Sequence, residues 1–348
     1  MSDFIGLVDL KRRHAAVAED VESRVQAVLR SGQYIGGPVL AELEASVAQQ
    51  MGCAHGVGVG SGTAGLRLAM RAVGVGAGDE VIIPALSFFA TAGAVLDLGA
   101  VPVVVDVLPQ RPLMDAEAAQ SAVTERTAAV VPVHLFGSGA PIPDVRVPLV
   151  VDAAQAMGAR PILPCGAASV LSFYPTKVLG GAGDGGMVLT NDSHLAQVVR
   201  ELGNHGGPGH TQIGGNSRLD ALQAAVLLGH LQVLDSRLQR RRLIADRLDE
   251  AAGGRAVPRD EGSPVTVWAL RHPDRDGLVA ACEAAGIATR VYYASTLAEP
   301  PAMSGRCRVP QPLHQAEAFC REALALPCHA DLTEAEVGRI CRVLEDWA

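Results

Sequence analysis

The sequence predicts an α/β protein: a large domain built on a mostly parallel seven-stranded sheet, followed by a smaller C-terminal α/β domain. Three observations carry this expectation. Seven short, almost wholly apolar runs alternate with amphipathic helical stretches between about residues 40 and 190, and such runs suit strands covered by helices on both faces. Of the 348 residues 49% are apolar and 19% charged, with 38 Gly and 21 Pro, a balance that fits many strand-to-helix turns. A long helical pattern then leads into a Gly and Pro cluster at 253–264, beyond which a second, shorter α/β pattern begins. Length alone favours one large core with a smaller companion.

In chain order, the strands are read as GVGV from 56, EVIIP from 80, VPVVVD from 101, AAVVPV from 128, PLVVD from 148, ASVLSF from 168 and GGMVLT from 185. Segment 217–250 keeps apolar residues at spacings of three and four, interrupted only by Gly229, and predicts one long helix bent at most once. The last hundred or so residues predict a strand VTVWAL at 265–270, a helix at 276–286, a strand ATRVYY at 288–293 and helices near 313–323 and 334–346. Thr333 and Glu336 form a capping-box pattern before the last of these. The division is placed so that 1–250 form the large domain, with an N-terminal helical segment and the long connecting helix, and 251–348 form the small one.

Composition excludes several classes. The net charge of -8 is spread without a basic block, so nucleic acid is not an expected partner. Seven cysteines, at 53, 165, 282, 307, 320, 328 and 341, show neither CxxC nor Cys/His metal spacing and read as reduced thiols. The most apolar stretch, at 92–107, is broken by Asp97, Gly99 and Pro102 well short of a bilayer span. The first twenty residues lack the continuous apolar stretch of a signal peptide. A soluble, cytoplasmic protein is expected, with no membrane partner.

Three constellations could carry chemistry. Residues 60–65, Gly60, Ser61, Gly62, Thr63, Ala64 and Gly65, follow a strand and open a helix. Small residues there let backbone N–H groups and hydroxyls close on an anion such as phosphate at the positive end of the helix dipole. The same six match GxGxxG, which leaves open a nicotinamide-dependent oxidoreductase, or a tight turn that binds nothing. Asp79 and Glu80 precede the next strand, however, where a dinucleotide fold needs its acid at the strand's end. Asp152 follows the apolar run PLVV, with Gln155 just beyond. A carboxylate at the end of a buried strand needs a partner, such as a pyridinium N–H, or else caps the next helix. Lys177 follows Ser172 by five residues and precedes a glycine-rich stretch. Few charges surround it, so partial desolvation can lower its amine toward the nucleophilic range.

Taken in order, SGTAG, PALSFFATAGAVLDLGAVPVVVDV, VDAAQAMGA, SFYPTKVLGGAGDGGMVLTND, NHGG and GGNSRLDALQAAVL closely resemble the DegT/DnrJ/EryC1/StrS family of sugar aminotransferases dependent on pyridoxal phosphate (PLP), from about Phe4 to the C-terminus. The resemblance implies a fold type I aminotransferase, a homodimer with shared active sites, L-glutamate as amino donor and a nucleotide-linked keto sugar as acceptor. By position, Lys177 matches the lysine that holds the cofactor as a Schiff base and moves the proton, and Asp152 the acid paired with the pyridine nitrogen. Gln155 matches the contact to the ring hydroxyl and Phe88 the aromatic that stacks on the ring. Gly62, Thr63, the backbone of Ala64, and Ser172 match the phosphate cradle, and Asn216 matches the asparagine that reaches the neighbouring subunit's phosphate. Tyr34, His205, Arg218, Tyr292 and Tyr293 look like substrate-side positions.

The pattern also departs from the family. Between HLFG and the strand before Asp152 only SGAPIPDVRVP intervenes, the stretch RPILPCGAA is trimmed, and the loop entering the C-terminal domain is short. Met157 stands where many relatives have His, which bears on substrate contacts. A family member acting on a cyclitol or another cyclic ketone would show the same cofactor residues. Sugar dehydratases of the family carry His at the lysine position, and a regulatory protein that binds the cofactor without turnover is a further alternative.

Overall fold

The computed structural model describes residues 4–160 and 166–348. Cys165 and most of the trimmed stretch RPILPCGAA lie outside these residues. All seven expected strands of the large sheet form: β1 His55–Val59, β2 Glu80–Pro84, β3 Val101–Val105, β4 Thr127–Val130, β5 Val150–Asp152, β6 Ala168–Ser172 and β7 Gly186–Thr190. Two hydrogen-bonded blocks, β1-β7-β6-β5 and β3-β2-β4, meet through parallel bridges Val130–Leu149 and Val133–Asp152. The spatial order is therefore β1-β7-β6-β5-β4-β2-β3. Strand β7 runs antiparallel to both its neighbours, and the other observed pairings are parallel.

Alternation along the central strands explains why both faces are apolar. Val150, Val170 and Val188 enter one buried cluster with Leu66 and Ala69 of the helix Gly62–Ala72. Val151, Leu171, Met187 and Leu189 enter another, with Leu43 and Val47 of the helix Gly37–Gln50 and Leu227 of the helix Ala221–Leu231. Successive side chains of a strand point to opposite faces, and each buried Val or Leu is worth roughly 1.5–3 kcal/mol of transfer free energy. Strand β1 alternates Val with Gly for a steric reason. A Cβ on Gly56 would stand 2.8 Å from the Glu44 carbonyl oxygen, and one on Gly58 would stand 2.9 Å from the Leu219 Cβ.

The short crossover between β4 and β5 holds only the turn Leu135–Gly137. In place of a helix, Val145, Val147 and Leu149 of the coil pack on the cluster formed by Ile82, Val103, Val105 and Val130. The predicted long helix is interrupted at Gln232 and Val233, giving helices Ala221–Leu231 and Leu234–Ala251.

In the C-terminal part, β8 Trp268–Arg271 begins later than expected. Val265 has φ +49° and gives its carbonyl oxygen to Arg241 instead of to a ladder. The expected strand at 288–293 is corrected to a single antiparallel bridge, Arg290–Ala325. The true partner of β8 is β9, Ala323–Leu326, which starts directly from the end of the helix His314–Glu322. The capping box of Thr333 and Glu336 forms, opening the helix Glu334–Glu345. Ile244 and Leu248 of the connecting helix and Ile5 of the N-terminal segment share a core with Leu270, Leu326 and Ile340. Among the described residues, no helix is long and apolar enough to cross a membrane.

Candidate active site

The carboxyl ends of β5 and β6 open into a cavity of about 570 Å³. Its floor includes Ser61, Gly62, Thr63, Asp152, Gln155, Ser172 and Lys177, and its rim includes Phe88, Arg290, Tyr292 and Tyr293. This is the general position of ligands in α/β sheets, where strands end and helices begin.

Asp152 ends β5 and is 6% exposed. One carboxylate oxygen, Oδ2, accepts from the Thr91 hydroxyl at 2.9 Å, and the other, Oδ1, accepts from the Ala154 N–H at 3.1 Å. Ser87 and Thr91 share a hydrogen bond at 2.7 Å, which fixes the Thr91 hydroxyl. Burial pushes the Asp152 carboxyl above its ordinary range, while Ala154, Thr91 and the amine of Lys177 pull it back. Burial likewise lowers the Lys177 amine, and the Asp152 carboxylate opposes that shift. Each group thus favours the charged form of the other, across a site that disfavours both charges.

At the other end of the floor, Ser61 caps the helix Gly62–Ala72 by accepting the Ala64 N–H at 3.1 Å. The Ala64 N–H, expected in the phosphate cradle, is bonded to the Ser61 hydroxyl oxygen. The amides of Gly62 and Thr63, the first two of the helix, have no intrahelical acceptor. A Cβ at Gly62 would stand 3.0 Å from the Ser172 Cβ, so glycine keeps open the gap between helix start and strand end.

Gln155 is clamped from two sides. Its side-chain oxygen accepts from the Phe136 N–H at 2.6 Å, and its carbonyl accepts from the Thr266 hydroxyl at 2.6 Å. Its side chain is also a hydrogen-bond partner of the Tyr293 hydroxyl, whose acidity burial and the nearby Asp152 carboxylate weaken. Phe88 stands 64% exposed at the mouth, an apolar ring facing open space.

The remaining candidates do not line this cavity. Asn216 and Arg218 are exposed, and Arg218 donates to the Asn204 side chain at 2.9 Å. His205 is exposed at φ +57° in the same region, bridged through Asn204 to Asn216. Tyr34 is 47% exposed, with its carbonyl accepting from Ala221. Met157, which stands where many relatives have His, is 4% exposed and packs with Leu234 and Leu238. Missed in the sequence are Thr91, which bonds Asp152, and Arg290 and Arg241, which line the cavity. Thr91 had a signal, its spacing of four from Ser87, just past the end of β2. Arg290 and Arg241 had none, because only the fold brings them there. Arg241 is tied to the Val265 and Thr266 carbonyls, whereas the Arg290 guanidinium has no partner among the described residues.

Comparison with known proteins finds a match over residues 16–345 to the DegT/DnrJ/EryC1/StrS aminotransferase family. The chain is 35% identical to a UDP-2-acetamido-2-deoxy-3-oxo-D-glucuronate aminotransferase of Pseudomonas aeruginosa, covering 98% of this chain and 99% of the relative. It is 38% identical to a dTDP-3-amino-3,4,6-trideoxy-alpha-D-glucose transaminase of Streptomyces venezuelae, covering 99% and 96%. An L-glutamine:2-deoxy-scyllo-inosose aminotransferase of Micromonospora echinospora matches at 37% identity over 77% of the chain and 74% of the relative. The crystal structure of S. venezuelae DesV in complex with a ketimine intermediate superposes with a TM-score of 0.93 at 34% identity, covering 99% of each chain. That of ntda from Bacillus subtilis with bound cofactor PMP superposes at 0.90 and 26% identity, covering 99% of this chain and 85% of the other. Sequence motifs, sheet order, cavity position and these likenesses agree, and the chain belongs to the DegT/DnrJ/EryC1/StrS aminotransferase family.

Proposed function

We propose that this chain moves an amino group from L-glutamate to the keto group of a nucleotide-linked sugar, using pyridoxal phosphate held by Lys177, as a homodimer. The observation that carries the reading is the pairing of buried Asp152 with half-buried Lys177 on the floor of one cavity, opposite the helix start at Gly62. The residues fit the cofactor. A carboxylate with only two donors inside the protein can accept a ring N–H, and the Gly62 gap beside Ser172 leaves room for a phosphate. Thr63 and Ser172 offer hydroxyls at that end, Gln155 lines the same cavity, and Phe88 offers a stacking face.

Bound pyridoxal phosphate supplies an electron sink that acidifies the C–H beside the transferred amine. Asp152, ionised, keeps a proton on the ring nitrogen. Lys177, whose amine burial makes easier to deprotonate, is placed to take a proton from the donor's α-carbon and to deliver one to the acceptor's carbon. The Asp152 carboxylate and its Thr91 donor hold that geometry through both half-reactions. Asn216, exposed away from this cavity, is assigned to the phosphate end of the partner's site, and Tyr292 and Tyr293 to the substrate side. His205, Arg218 and Tyr34 remain candidates for the shared interface. The division into a cofactor domain, 1–250, and a small domain, 251–348, is part of the same reading.

The chain has two lysines, Lys11 and Lys177. Borohydride treatment of the yellow protein followed by peptide mapping therefore has two possible answers. Label on Lys177, together with glutamate-dependent amination of keto sugars linked to UDP or dTDP, is the expected result. Label on Lys11 alone, or a colourless protein that binds NADH, would overturn it. A cyclitol acceptor is the second reading, favoured by the scyllo-inosose relative, and a parallel assay with a keto-cyclitol decides between them.

A further inference from the structure

The loop that carries Lys177 closes on itself. The Gly181 N–H donates to the Phe173 carbonyl and the Lys177 N–H to the Tyr174 carbonyl, both at 2.8 Å. The closure is tight: a Cβ on Gly180 would stand 2.5 Å from the Pro175 carbonyl oxygen. It also gathers the carbonyls of Pro175, Lys177, Val178 and Gly180 around one point, where buried acceptors need donors.

The guanidinium of Arg13 occupies that point. Its Nη1 donates to Pro175 at 2.9 Å and to Lys177 at 2.8 Å, and its Nη2 donates to Val178 and Gly180, both at 3.3 Å. Arg13 is 8% exposed, and all four hydrogen-bond acceptors are backbone carbonyls of this loop. Burial, Arg237 and Arg241 lower its ionisation to about 10, so it is still a cation at neutral pH. A planar guanidinium can serve several carbonyls in fixed directions, as a flexible ammonium cannot.

We infer that Arg13 is a positioning residue for Lys177, fixing the backbone from which the amine reaches into the cavity. This rests on Lys177 being the cofactor lysine. The link runs through the backbone, because what Arg13 bonds are loop carbonyls, that of Lys177 itself among them. Arg13 is itself held from the C-terminal side. The Ile5 N–H donates to Gly286 and the Ala288 N–H to Ile5. Arg12 reaches Glu336 at 2.9 Å and the Asp331 carbonyl at 3.3 Å. The short helix Leu10–Ala15 thus carries the position of the C-terminal elements into the lysine loop.

The test compares the full chain with Arg13→Met and Arg13→Lys. It follows backbone hydrogen exchange over 173–181 in the cofactor-free protein, and the rate at which added pyridoxal phosphate becomes fixable by borohydride at Lys177. Arg13→Met is expected to speed exchange in that segment and to slow attachment roughly 10- to 100-fold, with far-ultraviolet circular dichroism unchanged. Arg13→Lys should recover part of the attachment rate. Exchange and attachment as in the parent chain would overturn the inference, and so would faster exchange spread evenly over the protein. If Arg13→Met does not fold, Arg13→Lys carries the same comparison, with exchange confined to 173–181 as the supporting result. Failure of the underlying reading is visible separately, as a parent chain that takes no label at Lys177.

Discussion

The floor and the rim of the cavity are built differently. Floor residues sit at the ends of hydrogen-bonded strands or at a capped helix start, and Asp152 and Gln155 are each bonded twice or more. Rim residues come from the irregular segment around Arg290, which touches β9 through one bridge, and from the exposed ring of Phe88. A rigid floor suits steps in which atoms must be placed to a fraction of an ångström, whereas a rim with an exposed Arg290 and the exposed Phe88 ring suits binding that varies between substrates. Floor changes should therefore appear in kcat and rim changes in KM.

Three experiments sharpen or break that contrast. Lys177→Ala should remove glutamate-dependent turnover down to background while thermal unfolding stays cooperative. Residual turnover within tenfold of the parent would remove Lys177 from the chemistry. Thr91→Val takes away one of the two donors to the Asp152 carboxylate and leaves Ser87 without its partner. Loss of a hydrogen bond to a charged group is worth about 1.5–3 kcal/mol, so kcat should fall roughly 10- to 100-fold with KM little changed. A pure KM effect would place Thr91 with the rim instead. Arg290→Gln should raise KM for an anionic substrate by about tenfold at nearly constant kcat, and glutamate and nucleotide-sugar titrations would show which anion it meets. A loss confined to kcat would erase the distinction between floor and rim.

The smallest effect lies away from the cavity. Burial, with Arg13, Arg237 and His14 nearby and Asp331 opposing, lowers His230 to about 4. Its stabilising contribution is complete above about pH 6.5, where the unfolded imidazole is also neutral, and is lost as pH falls toward about 4. Urea unfolding should show the parent chain losing on the order of 2 kcal/mol more than His230→Gln across that window. Equal slopes would mean that the imidazole is not buried neutral.

The same contrast decides what the sequence discloses. The seven large-sheet strands are legible because a strand covered on both faces must be apolar throughout, and the floor residues are legible because they sit at fixed offsets from those runs. Strand β9 is not, since ALAL continues a helix without Gly or Pro to mark the change. The segment ATRVYY has β-branched and aromatic residues in strand-like order, yet only Arg290 finds a bridge, and propensity cannot report the absence of a partner strand. Met157 shows the opposite limit: the sequence leaves open how it bears on substrate contacts, and its side chain turns into the core between sheet and connecting helix. Arg13 looks like one of three cations in KRRH and acquires its distinct surroundings only when residues 175–180 fold over it.

The pairing of Ile5 with Gly286 and Ala288 also sets an order of events during synthesis. Ile5 cannot reach its place until residues 286–288 have left the ribosome, and contacts this distant in sequence form late. Strands β1 to β7 can pair earlier, so a nascent chain can own a sheet and an Asp152 before its lysine loop is gripped. A chain cut short before residue 286 would reach the sheet but lack the partners that hold Ile5.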